Sequence, residues 1–424
     1  MWRRLAALAA CLSLSGVASA QDGATLTLHE ALARAADQHP ELKAFGFLAR
    51  QLEAERARAA LAPAQRIGIE FENVPGTGGL SGVDGAEVTL SLAGVLERGG
   101  KRAAQRALAE RRFDAQGVAR AKAELDLAAE VAQRYLDLVG AESLAAIAGD
   151  DVAQRERAVD AAARRVQAGA APESAQLGAE ALLARARLGQ RRAAVEREAA
   201  WRRLQSLWGA RDSGAVPATR ADVLRLPPLP EFAQLVQRLE RSPELRAFAD
   251  EERVREARLR IAQSAGTADV DWRVGVRRVE SADGWGVVAG FSLPLDARGR
   301  AEPEVSAARA EREALTFERD AGSRRLESLL ALAHGQYAGA RVEVELTRDD
   351  VLPRLLRAEA AAERAYRAGA LSYQEWALLQ AETTAARQSQ LAAALAAHRA
   401  LVEIQRLTAE PILATAGNVI GDVP

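Results

Sequence analysis

The chain is written twice. Pro40-Glu41-Leu42-Lys43-Ala44-Phe45 returns as Pro243-Glu244-Leu245-Arg246-Ala247-Phe248. Tyr135 returns as Tyr337, Gln167-Ala168-Gly169-Ala170 as Arg367-Ala368-Gly369-Ala370, and Leu204-Gln205-Ser206-Leu207 as Ile404-Gln405-Arg406-Leu407. The order is kept and the spacing stays near ~200 residues, far beyond the roughly 20–50 of solenoid repeats. The chain therefore builds two similar halves, each with the same succession of elements.

Each half opens with a helical stretch (residues 40–64 and 243–266) and passes through two short alternating segments. A very long helical stretch follows (97–167 and 302–367). The chain then reverses at Gly169 or Gly369 and returns along a second helix (173–208 and 373–407). Leu125, Ala128, Ala132, Tyr135 and Val139 step by three and four residues, the spacing of a packed helical seam. Glu302-Pro303 suits a helix start, since proline is tolerated at the first helical position. Pro353 lies inside the second long helix and predicts a bend that the first half lacks. Pro217, Pro227, Pro228 and Pro230 break the chain between the halves. At about 1.5 Å per residue the first long helix runs ~105 Å, its return helix ~54 Å and the opening helix of a half ~35 Å. Two short pieces stacked end to end nearly match one long one, which predicts a rod and not a globule. Aromatic residues make up only 4% of the chain, too few for the large side chains on which compact cores are built.

Four segments alternate with period two. Ile67, Ile69 and Phe71 alternate with Gly68, Glu70 and Glu72; Val88, Leu90 and Leu92 with Thr89 and Ser91; Trp272, Val274 and Val276 with Arg273, Gly275 and Arg277; Val287, Ala289, Phe291 and Leu293 with Gly290 and Ser292. Each is near the roughly 9–11 residues of a tilted membrane-spanning strand. On that reading the apolar set faces lipid, with Trp272, Trp285 and Phe71 as an aromatic girdle, and Glu70, Glu72, Arg273 and Arg277 face water. Alternation alone equally fits two half-buried hairpins resting on helices. Four strands cannot close a barrel in lipid, so the membrane reading requires several copies to pool their strands.

The N-terminus reads as an export signal: Arg3 and Arg4, an apolar run over residues 5–14, and Ala18-Ser19-Ala20 as cleavage site. Leu8-Ala9-Ala10-Cys11 also fits a lipoprotein box, but leaves a shorter apolar run than such signals use. Beyond the signal there is no Cys or Met, and no apolar run near the ~20 residues of a spanning helix. The resulting division is a signal peptide over 1–20, a first repeat over 21–216, a proline-rich linker over 217–230, a second repeat over 231–408 and a C-terminal tail over 409–424. A formal net charge of −1 gives no reason to expect nucleic acid as a partner. Gly99-Gly100-Lys101-Arg102 is not a phosphate loop, because Val95 and Arg102 stand where Gly and Ser or Thr are needed. His29, His39, His334 and His398 show no i, i+4 pairing, and no cofactor, resident metal or catalytic set is expected.

With these residues in view, the chain resembles the TolC family of outer-membrane efflux factors over essentially all of its length beyond residue 20. The motifs Arg165-Val166-Gln167-Ala168-Gly169 and Tyr366-Arg367-Ala368-Gly369-Ala370-Leu371 resemble that family's periplasmic tips. Glu70-Phe71-Glu72-Asn73 and Leu96-Glu97-Arg98-Gly99-Gly100-Lys101-Arg102 resemble its cation-efflux, CzcC-like branch. The resemblance implies a mainly α fold with a small β part: a helical-barrel tunnel and four transmembrane strands per chain, closing a shared barrel in a homotrimer. It implies an outer-membrane location reaching into the periplasm, contact with lipid, a periplasmic adaptor (membrane fusion protein) and an inner-membrane pump of the resistance-nodulation-division class. The cargo it implies is heavy-metal cations of the Co/Zn/Cd or Cu/Ag class, passively conducted. An exit duct for drugs or secreted proteins, and a soluble periplasmic coiled-coil adaptor, stay open beside it.

Carried over residue by residue, the resemblance makes Gly169, Ala170, Gly369, Ala370 and Leu371 adaptor-docking tips. It makes Tyr366 a constriction tyrosine, and Glu375 an acidic gate position that threefold symmetry would turn into a ring. Leu371 and Ala175 depart from the family pattern, where some members have arginine and aspartate; the corresponding gate contacts would then run through Glu173, Arg364 or Arg367. The lipid-facing set is Ile67, Ile69, Phe71, Val88, Leu90, Leu92, Trp272, Val274, Val276, Phe291 and Leu293.

Overall fold

A computed structural model describes residues 25–80, 82–209, 215–219 and 221–411. The expected signal peptide, Cys11 and the tail beyond residue 411 lie outside the described residues. The first half runs β1 (Thr25–Leu26), α1 (Leu28–Gln38), α2 (Pro40–Ala60), β2 (Arg66–Glu72), β3 (Glu87–Leu96), α3 (Lys101–Gln167) and α4 (Glu173–Gln205). The second runs β4 (Ala218–Thr219), α5 (Phe232–Leu239), α6 (Pro243–Ala265), β5 (Val270–Val279), β6 (Gly284–Ser292), α7 (Ala297–Leu346), α8 (Leu352–Arg367) and α9 (Tyr373–Thr408). Among the described residues no helix is long and apolar enough to cross a membrane.

The helix α3 is unbroken for 67 residues, ~100 Å at the α-helical rise. Its two partners of the same half lie along it in succession. The helix α2 flanks the first part, where Gln116 Nε2 donates to the Phe45 carbonyl at 2.9 Å. The helix α4 flanks the last, where Arg187 pairs with Glu156 at 2.9 Å. In the second half α6 lies beside the early part of α7, through Arg255–Glu318 at 2.7 Å and Arg312–Glu256 at 3.0 Å. The helix α9 lies beside the late part, through Ser389–Glu343 at 2.8 Å. The halves meet where α3 packs on α6 and α9. There Arg406 of α9 reaches Asp126 at 3.0 Å and Glu244 at 3.1 Å. The chain exposes 26455 Å², where a compact monomer of its 45.2 kDa would expose ~16,000 Å². This is a rod with long unpartnered faces.

Two expectations about helix ends are corrected. The second long helix does not start at Glu302-Pro303. It starts at Ala297, because Asp296, in left-handed backbone at φ 58°, accepts from the Gly299 N–H at 3.2 Å and caps it. Pro303 therefore lies inside the helix, where Val305 beside it packs against Leu259 and Ala262 of α6. The first long helix begins at Lys101, not Glu97, after Gly99 and Gly100 turn the chain at φ 69° and 73°. A Cβ on Gly99 would sit 2.5 Å from Thr267. The Leu96–Lys101 elbow is tied down there by Asp269, which accepts from the Arg98 N–H at 3.1 Å and pairs with Lys101 at 2.8 Å.

Near Pro353 the helix opens into a π-turn, Thr347–Val351, before α8 resumes. Proline lacks the donor an α-helix needs and its ring crowds the carbonyl four residues back, so the backbone widens by one residue. Gln390 of α9 donates to the Val344 carbonyl at 3.1 Å just ahead of the turn.

The short helices α1 and α5 were not anticipated. Both are strongly amphipathic. Leu28, Ala31 and Ala35 of α1, and Leu235 and Leu239 of α5, enter the two main cores. A signal for α1 was present: Thr27 and Glu30 form a reciprocal capping box. The duplicated tyrosines serve these segments alike. The Tyr135 hydroxyl donates to the Leu26 carbonyl at 3.1 Å, and that of Tyr337 donates to the Pro227 carbonyl. Burial pushes the Tyr337 phenol up to about 12. The proline-rich linker is thus pinned by the second half's own core and by a parallel pairing of β4 with β1.

His398 of α9 is buried, with Nε2 at 3.0 Å from the Val223 carbonyl. Burial depresses its pKa, against weaker opposing effects of that hydrogen bond and of Asp222. The folded state therefore holds it neutral while the unfolded chain would protonate below the ordinary histidine value of 6.5. Its contribution to stability is fully present above that value and is lost as pH falls from there through the depressed folded pKa. We expect His398→Gln, which keeps a donor near the same place, to flatten the acid side of the melting-temperature profile of the detergent-solubilised protein. An unchanged slope below pH 6.5 would show that His398 is not its source.

Candidate functional site

The four strands form one antiparallel sheet in the order β2-β3-β5-β6, so the hairpin of each half joins the other through β3 and β5. Register decides what each face carries. Ile69 stands opposite Leu90, Leu90 opposite Val276 and Val276 opposite Val287; Ile67, Leu92, Val274 and Ala289 make the next rung. Phe71, Val88, Arg278 and Trp285 end this face at the turns. Gly94, Trp272 and Phe291 end it towards the helices. Leu293, just past β6, continues the parity.

This apolar face is uncovered: Phe291 is 77% exposed, Ile67 77%, Leu90 54% and Val276 47%. Val88 and Trp272 are the half-buried exceptions. Trp272 lies on Gly94, where a Cβ would meet the indole at 2.9 Å. Removing one side chain on β3 seats a ring on β5, a fit no local pattern reveals. Arg278 shares the face but lies at its turn end, over the Trp285 ring at 5.8 Å and paired with Glu280 and Asp283.

The opposite face carries the charges. Arg273 pairs with Glu70 at 3.1 Å. Arg277 pairs with Glu72 at 2.7 Å and Glu87 at 2.6 Å and donates to the Thr89 hydroxyl at 3.0 Å. In the rungs from Ile67 to Phe71 every ionic residue lies on this second face except Arg278 at the rim, and Val288, opposite Gly275, is the one large apolar residue among them. The outer strands β2 and β6 have no strand partner on their outer edges among the described residues.

The far end of the rod holds the two turn copies, which are built alike. Gly169 and Gly369 take φ 67° and 83°, a left-handed conformation that glycine adopts without Cβ strain. The Ala170 N–H donates to the Arg165 carbonyl at 2.8 Å and the Ala370 N–H to the Ala365 carbonyl at 2.9 Å. Gly169 and Gly369 donate to Val166 and Tyr366 in the same pattern, so both helices end in Schellman motifs. The returning helices differ at their starts. Glu375 closes a capping box with Ser372, accepting from its hydroxyl at 2.7 Å and its N–H at 3.0 Å. These bonds hold its carboxyl below the usual range. The Glu375 side chain is exposed, so the cap leaves its charge in water. In the first copy Ala175 occupies this position and Pro172 the cap, without a side-chain bond.

Between the turns lies a cavity of about 640 Å³ lined by Ala170, Pro172, Gly178, Leu182, Leu371 and Tyr373, among others. Tyr366, expected at a constriction, is 2% exposed within the chain. Its ring stacks on Trp376 at 5.2 Å and meets Tyr373 edge-on at 6.1 Å. Gly169 and Gly369 sit at the extreme of the turns, with Ala170 and Leu371 reaching into the cavity wall. Arg165, which no spacing or periodicity in the sequence singles out, joins the two turns. Its guanidinium donates to the Tyr366 carbonyl at 2.9 Å and the Ala170 carbonyl at 3.0 Å and lies 4.8 Å over the Tyr366 ring. Of Glu173, Arg364 and Arg367, expected as substitutes for the missing gate contacts, Arg367 pairs with Glu363 of its own helix.

Residues 29–210 match the family described as outer membrane efflux protein. The chain is 27% identical over 279 residues to the cobalt-zinc-cadmium resistance protein CzcC of Cupriavidus metallidurans, a match spanning 66% of each protein, just under two thirds. Its structure is similar to that of a membrane protein from Pseudomonas aeruginosa, with TM-score 0.74 and 20% identity over 96% of both chains. It is also similar to CusC, whose crystal structures describe folding and transmembrane channel formation, with TM-score 0.75 and 15% identity over 90% of this chain and 91% of that one. The family match thus spans residues 29–210, and the chain as a whole has the fold of transmembrane channel proteins such as CusC.

Proposed function

We propose that this chain is the exit duct of a tripartite efflux system, working as a homotrimer in the outer membrane with heavy-metal cations as its cargo. The observation that carries this reading is the sheet: one face apolar and uncovered, the other ionic, both outer edges unpaired. In hydrocarbon an unpaired edge costs several kcal/mol per backbone group. Strands β2 and β6 of neighbouring copies satisfy each other, and three copies pool their strands into one closed barrel. The apolar rungs then meet lipid, with Phe71, Trp272 and Trp285 at its borders. The ion-paired face lines water.

Below the barrel the same logic holds for helices. Within one chain α4 packs on α3, α3 on α9, and α9 on α7 and α8, leaving α4 and α7–α8 as outer edges. Exposed Leu177, Leu188 and Val195 on α4, and Leu332, Val342 and Leu346 on α7, suit a seam between copies. The division into signal, two repeats, linker and tail follows the same plan. Gly169, Ala170, Gly369, Ala370 and Leu371 form the end that meets the periplasmic adaptor, and the pump beyond it supplies the energy. Threefold repetition of Glu375 places a ring of carboxylates at that end, which attracts cations without holding them. Tyr366 narrows the same end by packing the two turns together. The duct itself conducts and does no chemistry. The metal cargo is supported by the relationship to CzcC and by the strings at residues 70–73 and 96–102.

The reading is tested in two steps. The full-length protein should fractionate with the outer membrane and migrate in detergent as a heat-modifiable trimer; a soluble monomer would sink it. Deletion of its gene should sensitise the host to cobalt, zinc or cadmium salts, or to copper or silver. Sensitivity confined to organic drugs would leave a duct of the same build with a different load.

A further inference from the structure

We propose that neighbouring copies of this chain are joined, near the sheet, by a head-to-tail contact in which Phe47 on α2 of one copy packs on Phe317 on α7 of the next. Lys43 and Arg50 on one side of this seam meet Asp320 and Glu313 on the other. Such a seam rests on the homotrimer reading above and sets how that ring closes.

Near the sheet the chain is a row of four helices. The helix α2 packs on α3, α3 on α6 and α6 on α7, so α2 and α7 are the outer members. Each turns a phenylalanine away from its own chain. Phe45 of α2 is half-buried, and Phe47 lies about 200° further round the helix and is 68% exposed. Leu315 of α7 is buried, and Phe317, at the same angular step, is 76% exposed. Ties between neighbouring helices fix the heights. Gln116 of α3 is level with Phe45, Lys122 of α3 with Glu244 of α6, and the Phe248 ring of α6 lies 2.7 Å from where a Cβ on Gly322 of α7 would sit. Followed along these antiparallel helices, the ties put Phe47 and Phe317 at one height to within about 3 Å.

The flanking charges are complementary. Lys43 and Arg50 lie one turn to either side of Phe47, and Asp320 and Glu313 one turn to either side of Phe317. The helices α2 and α7 run in opposite directions, so bringing the rings together sets Lys43 opposite Asp320 and Arg50 opposite Glu313. All four are exposed. Among the described residues Lys43 and Glu313 form no ion pair, while Arg50 lies over its own Phe47 and Asp320 pairs with Arg324 of its own helix. Two rings buried at the centre of a charged rim make a contact that excludes water and fixes register.

The duplication supplies a template for the approach. The helix α6 repeats α2, and α7 repeats α3, so α7 against the next copy's α2 repeats α3 against α6 inside the chain. At the spacing of Pro40 and Pro243, Asp250 stands for Phe47; at the spacing of Tyr135 and Tyr337, Ala115 stands for Phe317. Asp250 is buried and paired with Arg253, and Ala115 is half-buried. The inner seam thus covers the two positions that the outer edges leave bare. Because the two outer edges differ, their contact is head-to-tail, the kind that closes a ring when the rotation allows.

The test is cysteine cross-linking of the full-length protein in outer membranes. The chain's one cysteine is Cys11, ahead of the expected cleavage site. Phe47→Cys and Phe317→Cys in one chain should give a covalent trimer on oxidation. The two single variants produced together should give a covalent dimer, and either one alone should stay monomeric in denaturing gels. Within one chain α3 and α6 hold the two positions about 25 Å apart, beyond the reach of a disulfide. Ala310→Cys in place of Phe317→Cys should cut the cross-linked fraction about fivefold or more, since it opens a gap of ~10 Å along α7. Independently, Lys43→Glu with Arg50→Glu should lower the heat-modifiable oligomer about tenfold, and adding Glu313→Lys with Asp320→Lys should restore it. Oligomer without the cross-link, an equal link from Ala310→Cys, or no restoration by the second charge reversal overturns the seam and leaves the channel standing. A wild type that forms no oligomer overturns the channel reading and the seam with it. Should the cysteine variants fail to assemble, the charge reversal and its restoration decide alone.

Discussion

Leu90→Arg should abolish stable outer-membrane assembly. Leu90 lies on β3 in the middle rung of the apolar face, between Ile69 and Val276, and is 54% exposed. An arginine at the midplane of an outer-membrane barrel costs about 2–4 kcal/mol. In a trimer the cost is met three times, roughly 6–12 kcal/mol for the assembly, which rivals the whole stability of an ordinary domain. The measurement is the heat-modifiable band and the outer-membrane fraction. The control is Gly290→Glu. Gly290 stands opposite Arg273 on the ionic face, and a Cβ there meets nothing within 4 Å. It should assemble normally. If both variants assemble alike, or the control fails and Leu90→Arg does not, the assignment of faces is wrong.

The second large effect is expected at the tip. Gly369→Pro should leave the barrel assembled and abolish export. At φ 83° proline cannot be accommodated, since its ring fixes φ near −65°. The substitution also removes the N–H that donates to the Tyr366 carbonyl at 3.1 Å, and it forces Ala368, now helical at φ −77°, towards extended backbone. Together these cost ~3 kcal/mol or more. They fall on the turn that Arg165 grips, at the opposite end of a ~100 Å rod from the sheet. Gly369→Ala separates shape from chemistry. It strains the same angle by only ~1–2 kcal/mol, and its Cβ would lie 3.7 Å from Arg165 Nη2, an ordinary contact. Metal resistance of cells carrying each variant, normalised to outer-membrane oligomer, should fall steeply for proline and slightly for alanine. Full resistance with the proline variant at normal level would remove the tip from the docking interface.

Whatever depends on neighbours in sequence could be read from sequence. The period of two in residues 67–71 and 272–276 assigned each side chain to a face before any pairing was known, because alternate residues of a strand point to opposite sides. The seam from Leu125 to Val139, the glycines at 169 and 369, and the proline at 353 likewise act within one or two turns of backbone. Repetition across the halves did the rest, since it required each element to occur twice.

Tertiary structure decided what lies ~200 residues apart in a duplication of this length. It paired β3 with β5 and so made one sheet of two hairpins. It seated Trp272 on Gly94, buried Tyr366 under an arginine from the other half, and closed the elbow at Gly99 on Thr267. None of these has a periodic trace, because each is a fit between two surfaces whose residues meet only after the helices have packed. The duplication itself concealed them: it predicts two equal halves, whereas Arg165, the aromatic cluster and the π-turn each belong to one half alone.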